Sequence, residues 1–256
     1  MDNLKKELAA VEKREKKLLG CGLKKNKLKA SIYERVPEKV SGLLEAAFSK
    51  AFKTVFVNGT ALIEKTFDKE SAGLEFEAGD YIVERARSKK SLRRMDKQAK
   101  KDNLLNNAAT TAAGLGLGFL GLGLPDIPLM VGTILKGVYE IAIGYGFPYD
   151  TDEEKIYILR LICTALADEE EKADCNRRLE CEDRGEANLN AEINRTAAML
   201  SDALLVEKFV QGLPVVGAIG GVVNWSIYRR VSALAAVKYK KRYLKRKLGE
   251  AVDGRE

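Results

Sequence analysis

The sequence contains no histidine. Imidazole general bases, serine–histidine triads and histidine-ligated zinc sites are therefore excluded outright. Proline is also scarce, with five in 256 residues, and there is one tryptophan. Four cysteines, Cys21, Cys163, Cys175 and Cys181, form no C-x-x-C pair, which leaves no support for a zinc knuckle or a thioredoxin-like redox motif. The first seventeen residues are charged and hold no apolar run of the kind a secretory signal needs. The expectation is a cytoplasmic protein with free thiols, possible membrane association aside. No cofactor is expected.

Long charged segments with helical apolar spacing fill the chain. Hydrophobic residues make up 46% and charged residues 32%, enough for a globular core. The predicted class is all-α, a single helical bundle with a glycine-rich central hairpin. A net charge of +7 favours acidic partners, either nucleic acid or the anionic face of a membrane.

Residues 1–35 are predicted to form a charged helical arm, solvated or weakly docked, with a thin apolar stripe at Leu4, Leu8, Val11 and Leu18. The main domain is expected over 36–248. Its first helix carries Val40, Leu43, Leu44, Ala47, Phe48, Ala51, Phe52, Val55 and Phe56 at i, i+3, i+4 spacing, the pattern of a core-facing helix. Lys69 to Asp80 reads as a glycine-punctuated turn region. A basic helix follows, with nine Lys/Arg between Arg85 and Lys101 and only Asp96 among them. It fits either a solvated face or a binding surface.

The most apolar and glycine-rich stretch is Ala108–Gly146. Residues 103–125 carry no charge and at about 1.5 Å per residue could cross a hydrocarbon core of roughly 30 Å. The returning arm, however, holds Lys136 and Glu140. Each would cost roughly 2.5–3.5 kcal/mol at a bilayer centre, whereas at i, i+4 they share a helix face and can pair. A helix with one wet face, packed against a second, is the expectation. Gly116 to Gly121 has the spacing G-x-G-x-x-G, but no strand precedes it, and Gly132–Gly137 lacks the ending of a phosphate loop. Neither supports a nucleotide site.

Thr151 to Glu154 is a capping box opening a helix with Ile156, Leu159, Ile162, Cys163 and Leu166 on one stripe. Residues 168–192 are acidic and polar and read as a variable segment, a loop with a charged helix. Near the C-terminus, Phe209–Tyr228 is uncharged but broken by Gly212 and Pro214. Beyond it, nine Lys/Arg run without an acid: Arg229, Arg230, Lys238, Lys240, Lys241, Arg242, Lys245, Arg246 and Lys247. Binding to an anionic surface through this helix competes with a solvated helix end.

Two blocks together resemble the EcsC family. One is GLGLPDIPLMVGTILKGVYEIAIGYGF, with Pro125, Asp126, Tyr145 and Gly146; the other is LPVVGAIGGVVNWSIYRRVSALA, with Pro214, Gly217 and Asn224. The family is named for a protein encoded beside parts of an ABC exporter. The resemblance implies an α-helical intracellular domain with a membrane or lipid connection and no established activity. Three functions follow in order. The first is a non-enzymatic module docking on an anionic membrane surface or a membrane protein. The second is a carboxylate hydrolase using Asp126 as a base, for which a helix N-cap is the simpler role. The third is nucleic-acid binding through the basic helices.

Overall fold

A computed structural model describes residues 2–20, 38–56, 63–64, 67–99, 126–181, 187–210 and 225–253. Within them lie α1 (Asp2–Leu19), α2 (Glu38–Thr54), α3 (Lys69–Ala86), α4 (Lys89–Gln98), α5 (Asp126–Gly144), α6 (Asp152–Leu166), α7 (Lys172–Glu180), α8 (Leu189–Val210) and α9 (Trp225–Asp253). No strand occurs among the described residues, so the protein is all-α. The first glycine arm, Ala108 to Gly123, lies outside the described residues. So do Pro125, Pro214, Gly217 and Asn224.

Local signals set most helix boundaries. The Asp68 carboxylate accepts from the Ser71 amide at 2.8 Å, Ser88 Oγ from the Ser91 amide at 3.1 Å, and Thr151 Oγ1 from the Glu154 amide at 3.2 Å. The expected turn at Lys69–Asp80 is instead the first two-thirds of α3. Its glycines cost about 1 kcal/mol each in a helix interior, but the Asp68 cap and the packing of Phe76 and Val83 outweigh that. The basic helix expected as one piece is broken at Arg87, which takes a left-handed φ of 41° before α4 begins.

Helices α5 and α9 lie side by side at the centre. α5 is wrapped by α2, α3 and α9, while α9 also meets α1 and α6. They run parallel, because Tyr228 meets Gly137 and Tyr243 packs against Tyr145. α1 runs antiparallel to α9: Leu18 and Leu19 lie by Trp225, and Glu7 reaches Lys240. The expected arm at 1–35 is thus, over its described part, built into the bundle, with Leu4 and Val11 in the core.

α5 has no wet face. Lys136 is 1% exposed, with Nζ 3.6 Å from Glu140 Oε1, so the pairing anticipated at i, i+4 is made inside the protein. Among the described residues, Ile127–Gly144 is the one stretch long and apolar enough to span a membrane. It is 83% buried within the bundle, as a core helix would be.

The end of α5 explains the Tyr145–Gly146 pair. The Gly146 amide donates to the Ile143 carbonyl at 2.8 Å and the Phe147 amide to the Ala142 carbonyl at 2.9 Å, a Schellman closure with glycine at φ 71°. A Cβ on Gly146 would stand 2.2 Å from the Phe76 ring. The left-handed backbone costs a non-glycine residue about 1–2 kcal/mol, and crowding the ring adds about 1–3 kcal/mol. Gly146→Ala is therefore expected to lower stability by about 2–5 kcal/mol in urea unfolding. A loss under about 1 kcal/mol would contradict this account of the turn.

Candidate functional site

The nine cations of Arg229–Lys247 were the leading sequence candidates for an anionic surface. The structure turns most of them inward. α9 is central and most of its surface meets other helices, and its buried lysines enter the interior by meeting carboxylates. Lys238 is 1% exposed, with Nζ 2.5 Å from Glu15 and in contact with Glu180 and Asn176. Lys240 stands 2.6 Å from Glu7 and 2.5 Å from Asp96. Lys241 meets the second Glu15 oxygen at 2.7 Å, and Lys247 meets Asp80 at 2.9 Å and Glu84 at 2.6 Å.

Arg242 makes the most constrained of these contacts. Its guanidinium donates to both oxygens of Glu154, at 2.6 and 2.9 Å, and lies 4.2 Å from the ring centres of both Phe147 and Tyr157. The Tyr239 hydroxyl donates to the same carboxylate at 2.7 Å. The capping box is therefore half made: Thr151 caps, but Glu154 turns into the core because a bidentate arginine is the stronger partner. Arg246 donates to the carbonyls of Tyr145 and Gly146 at 3.3 and 3.1 Å, tying the turn after α5 to α9. Arg230 donates to the Ala165 carbonyl at 2.8 Å. Of the nine, Arg229 and Lys245 are the exposed pair.

Carboxylates from α1, α3, α4, α6 and α7 thus converge on one basic helix. Three tyrosines extend the set: Tyr145 donates to Asp96 at 3.0 Å, Tyr243 to Asp80 at 2.7 Å, and Tyr239 to Glu154. Burial, then the neighbouring carboxylate, pushes all three phenols above their ordinary value, so they remain hydrogen-bond donors.

This convergence sorts charge across the bundle. α1 and α4 are neighbours on α9: Lys240 joins Glu7 to Asp96, and the Asn3 side chain donates to the Arg87 carbonyl at 3.0 Å. Their inward acids leave their bases outside. Lys5, Lys6, Lys13, Arg14, Lys16 and Lys17 on α1 are exposed, as are Lys89, Lys90, Arg93, Arg94 and Lys97 on α4. Besides Glu7 and Glu15, α1 carries Asp2 as its first residue and the half-buried Glu12. Among the described residues, α1 and α4 therefore present a dense external basic surface.

That arrangement had a signal in the sequence. Glu15 continues the Leu4, Leu8, Val11, Leu18 stripe, and Asp96 sits beside Leu92, Met95 and Ala99. A lone acid on the apolar stripe of a basic helix needs an internal cation.

Beside the ends of α1 and α6 and the start of α9 is a cavity of about 630 Å³, lined by Leu18, Leu19, Ala165, Lys172, Trp225, Arg229, Arg230 and Leu234 among others. Asp126 is the first residue of α5, and its side chain lies outside the described residues. Cys163 is buried, its thiol pushed up to about 12 by burial, and Cys175 is buried beside Arg195. Among the described residues no group of three or more acidic or cysteine side chains could hold a metal ion.

The EcsC protein family matches residues 2–244 of the chain. Protein EcsC of Bacillus subtilis (strain 168) is 22% identical over 227 residues, covering 88% of this chain and 87% of its own. The uncharacterized protein YdbA of the same organism is 27% identical over 154 residues, 58% of this chain and 57% of its own. No solved structure matches.

The pairing of α9 has a pH signature. Burial works to raise the Glu180 carboxyl, but its hydrogen bond to Lys238 and the charges of Lys238, Lys241 and Lys245 outweigh it, and the group is held below its ordinary value. A carboxylate depressed on folding contributes stability above its unfolded value, about 4.3, and loses it as pH falls through the folded value. Urea midpoints are expected to fall as pH drops below about 4.5, with Glu180→Gln showing a shallower fall than the parent. Identical pH slopes for the two proteins would contradict the pairing.

Proposed function

The chain belongs to the EcsC family, and we propose that it is a non-enzymatic module that docks on an anionic membrane surface or on a membrane protein. The observation that carries this reading is the sorted charge of α1 and α4: acids inward on α9, eleven exposed cations outward. A surface with this density of exposed cations carries a positive field into solvent. Polybasic faces gain about 1 kcal/mol per Lys or Arg near an anionic leaflet.

Two further features support it. Residues 103–125, which follow α4 in sequence, are uncharged and glycine-rich, and 209–224 are similar. Tyr81 and Ile82, on the helix before α4, are exposed apolar side chains close in sequence to Arg85 and Arg87. A surface that mixes cations with apolar side chains suits a lipid interface better than a nucleic-acid groove. The proposed site thus lies on Lys5–Lys17 and Lys89–Lys97 rather than across Arg229–Lys247, with the exposed Arg229 and Lys245 as outer contributors.

Flotation with phosphatidylglycerol and phosphatidylcholine vesicles tests the proposal. Binding is expected to the anionic vesicles only and to weaken with salt. The double variant Arg93→Gln/Arg94→Gln should lower the affinity by about 30-fold, at about 1 kcal/mol per cation. Failure of the folded protein to bind anionic vesicles at low salt overturns the membrane-surface reading. Tighter retention on duplex DNA than on vesicles would favour nucleic-acid binding instead.

A further inference from the structure

We infer that the protein meets an anionic leaflet end-on, through the corner where α3 passes into α4, and that Tyr81 and Ile82 enter the bilayer there. The inference rests on the anionic-surface reading and commits it to lipid, not to a membrane protein. α3 turns Gly79 and Val83 inward, and Gly79 faces Met95 and Gln98 of α4. At about 100° per residue, Tyr81 falls on the far side of the helix and Ile82 at its edge. Tyr81 is 58% exposed and Ile82 40%, two neighbouring apolar side chains left in water.

Three helix ends meet at this corner. The Arg87 amide closes α3 on the Val83 carbonyl at 2.8 Å, and α4 starts two residues later. The Asn3 side chain donates to the Arg87 carbonyl at 3.0 Å, which brings the exposed Lys5 and Lys6 of α1 within about one turn. Arg85, Arg87, Lys89, Lys90, Arg93 and Arg94 are exposed around it. Among the described side chains of α3, the acids nearest the corner are Asp80 and Glu84, and both meet Lys247, at 2.9 and 2.6 Å. Arg87 itself holds a φ of 41°, at the helix-end position that glycine usually fills without strain. A charge is kept there despite the backbone. The Arg85 guanidinium lies 5.4 Å from the Tyr81 ring centre, so one cation and one aromatic are already set side by side for a head-group layer.

The acids of α3 decide the angle of approach. Glu70 and Glu77 are exposed on its first half, and Glu77 stands one turn before Tyr81. Laid flat, α3 would press both carboxylates onto the anionic leaflet beside the exposed Leu74. Tipped onto its C-terminal end, it carries in only its last turn, and Leu74 stays about 10 Å further back along the axis. A nucleic acid offers the charge but no hydrocarbon for Tyr81 and Ile82.

A single-tryptophan reporter tests the insertion. Trp225 is the chain's one tryptophan, so Tyr81→Trp is placed in a Trp225→Phe chain and titrated with vesicles of phosphatidylglycerol brominated on its acyl chains. Saturable quenching is expected for Tyr81→Trp, and much weaker quenching for Leu74→Trp in the same background. In the parent chain, Tyr81→Ser/Ile82→Ser should lower vesicle affinity by about tenfold, while Leu74→Ser leaves it unchanged. All three side chains are exposed, so urea midpoints should stay at the parent value. Arg87→Gly should weaken binding by about fivefold while its urea midpoint holds or rises, which a merely structural arginine would not do. Equal quenching at positions 74 and 81 overturns the end-on approach, and no quenching of vesicle-bound Tyr81→Trp overturns the insertion. Unchanged binding by Tyr81→Ser/Ile82→Ser would remove the insertion and leave surface docking standing, whereas a parent that binds no anionic vesicle overturns both. Binding to native membrane vesicles but not to lipid alone assigns a membrane protein and overturns the inference.

Discussion

The fold depends on satisfying the cations of α9. A lysine or arginine taken out of water without a partner costs several kcal/mol, and α9 brings five of them into contact with the interior. Five other helices each supply a carboxylate, and the placement of each is fixed by which cation it must reach. Apolar packing is non-directional. The ion pairs are not: Glu15 serves Lys238 and Lys241, while Glu7 and Asp96 share Lys240, so a shift of α1 by one turn would separate them. We read these pairs as setting the register of the bundle around α9, and the aliphatic and aromatic core as supplying the larger share of its stability.

The same constraint shapes the surface. By drawing the acids of α1 and α4 inward, α9 leaves the bases of those helices in water. A basic helix at the centre thereby leaves a basic face at the periphery, on α1 and on α4, the latter within the basic segment Arg85–Lys101 that the linear charge pattern already marks.

Much of this was legible in the sequence, and the exceptions have physical causes. The Thr151 cap, the buried Cys163, the Lys136–Glu140 pair and the core stripe of α2 follow from spacing alone, with Leu43 the one stripe residue left exposed. The family resemblance placed Tyr145–Gly146, and the structure gives that pair its reason in a left-handed turn closed against Phe76 and held by Arg246. α3 was misread because its glycines look like turn residues, while the cap at Asp68 and the packing of Val83 decide otherwise. α9 was misread for a deeper reason. A helix contacted around most of its circumference shows no clean apolar stripe, so its lysines look solvated until the acids of other helices are seen around them.

The central claim is that the lysines of α9 are internal and those of α1 and α4 external. Amine acetylation of the native protein, read residue by residue in mass spectra, tests it most directly. The account predicts that Lys238, Lys240 and Lys247 resist modification until the protein unfolds, while Lys5, Lys6, Lys89, Lys90 and Lys245 react readily. Native-state modification of Lys238 and Lys240 at the rate of Lys245 would contradict it.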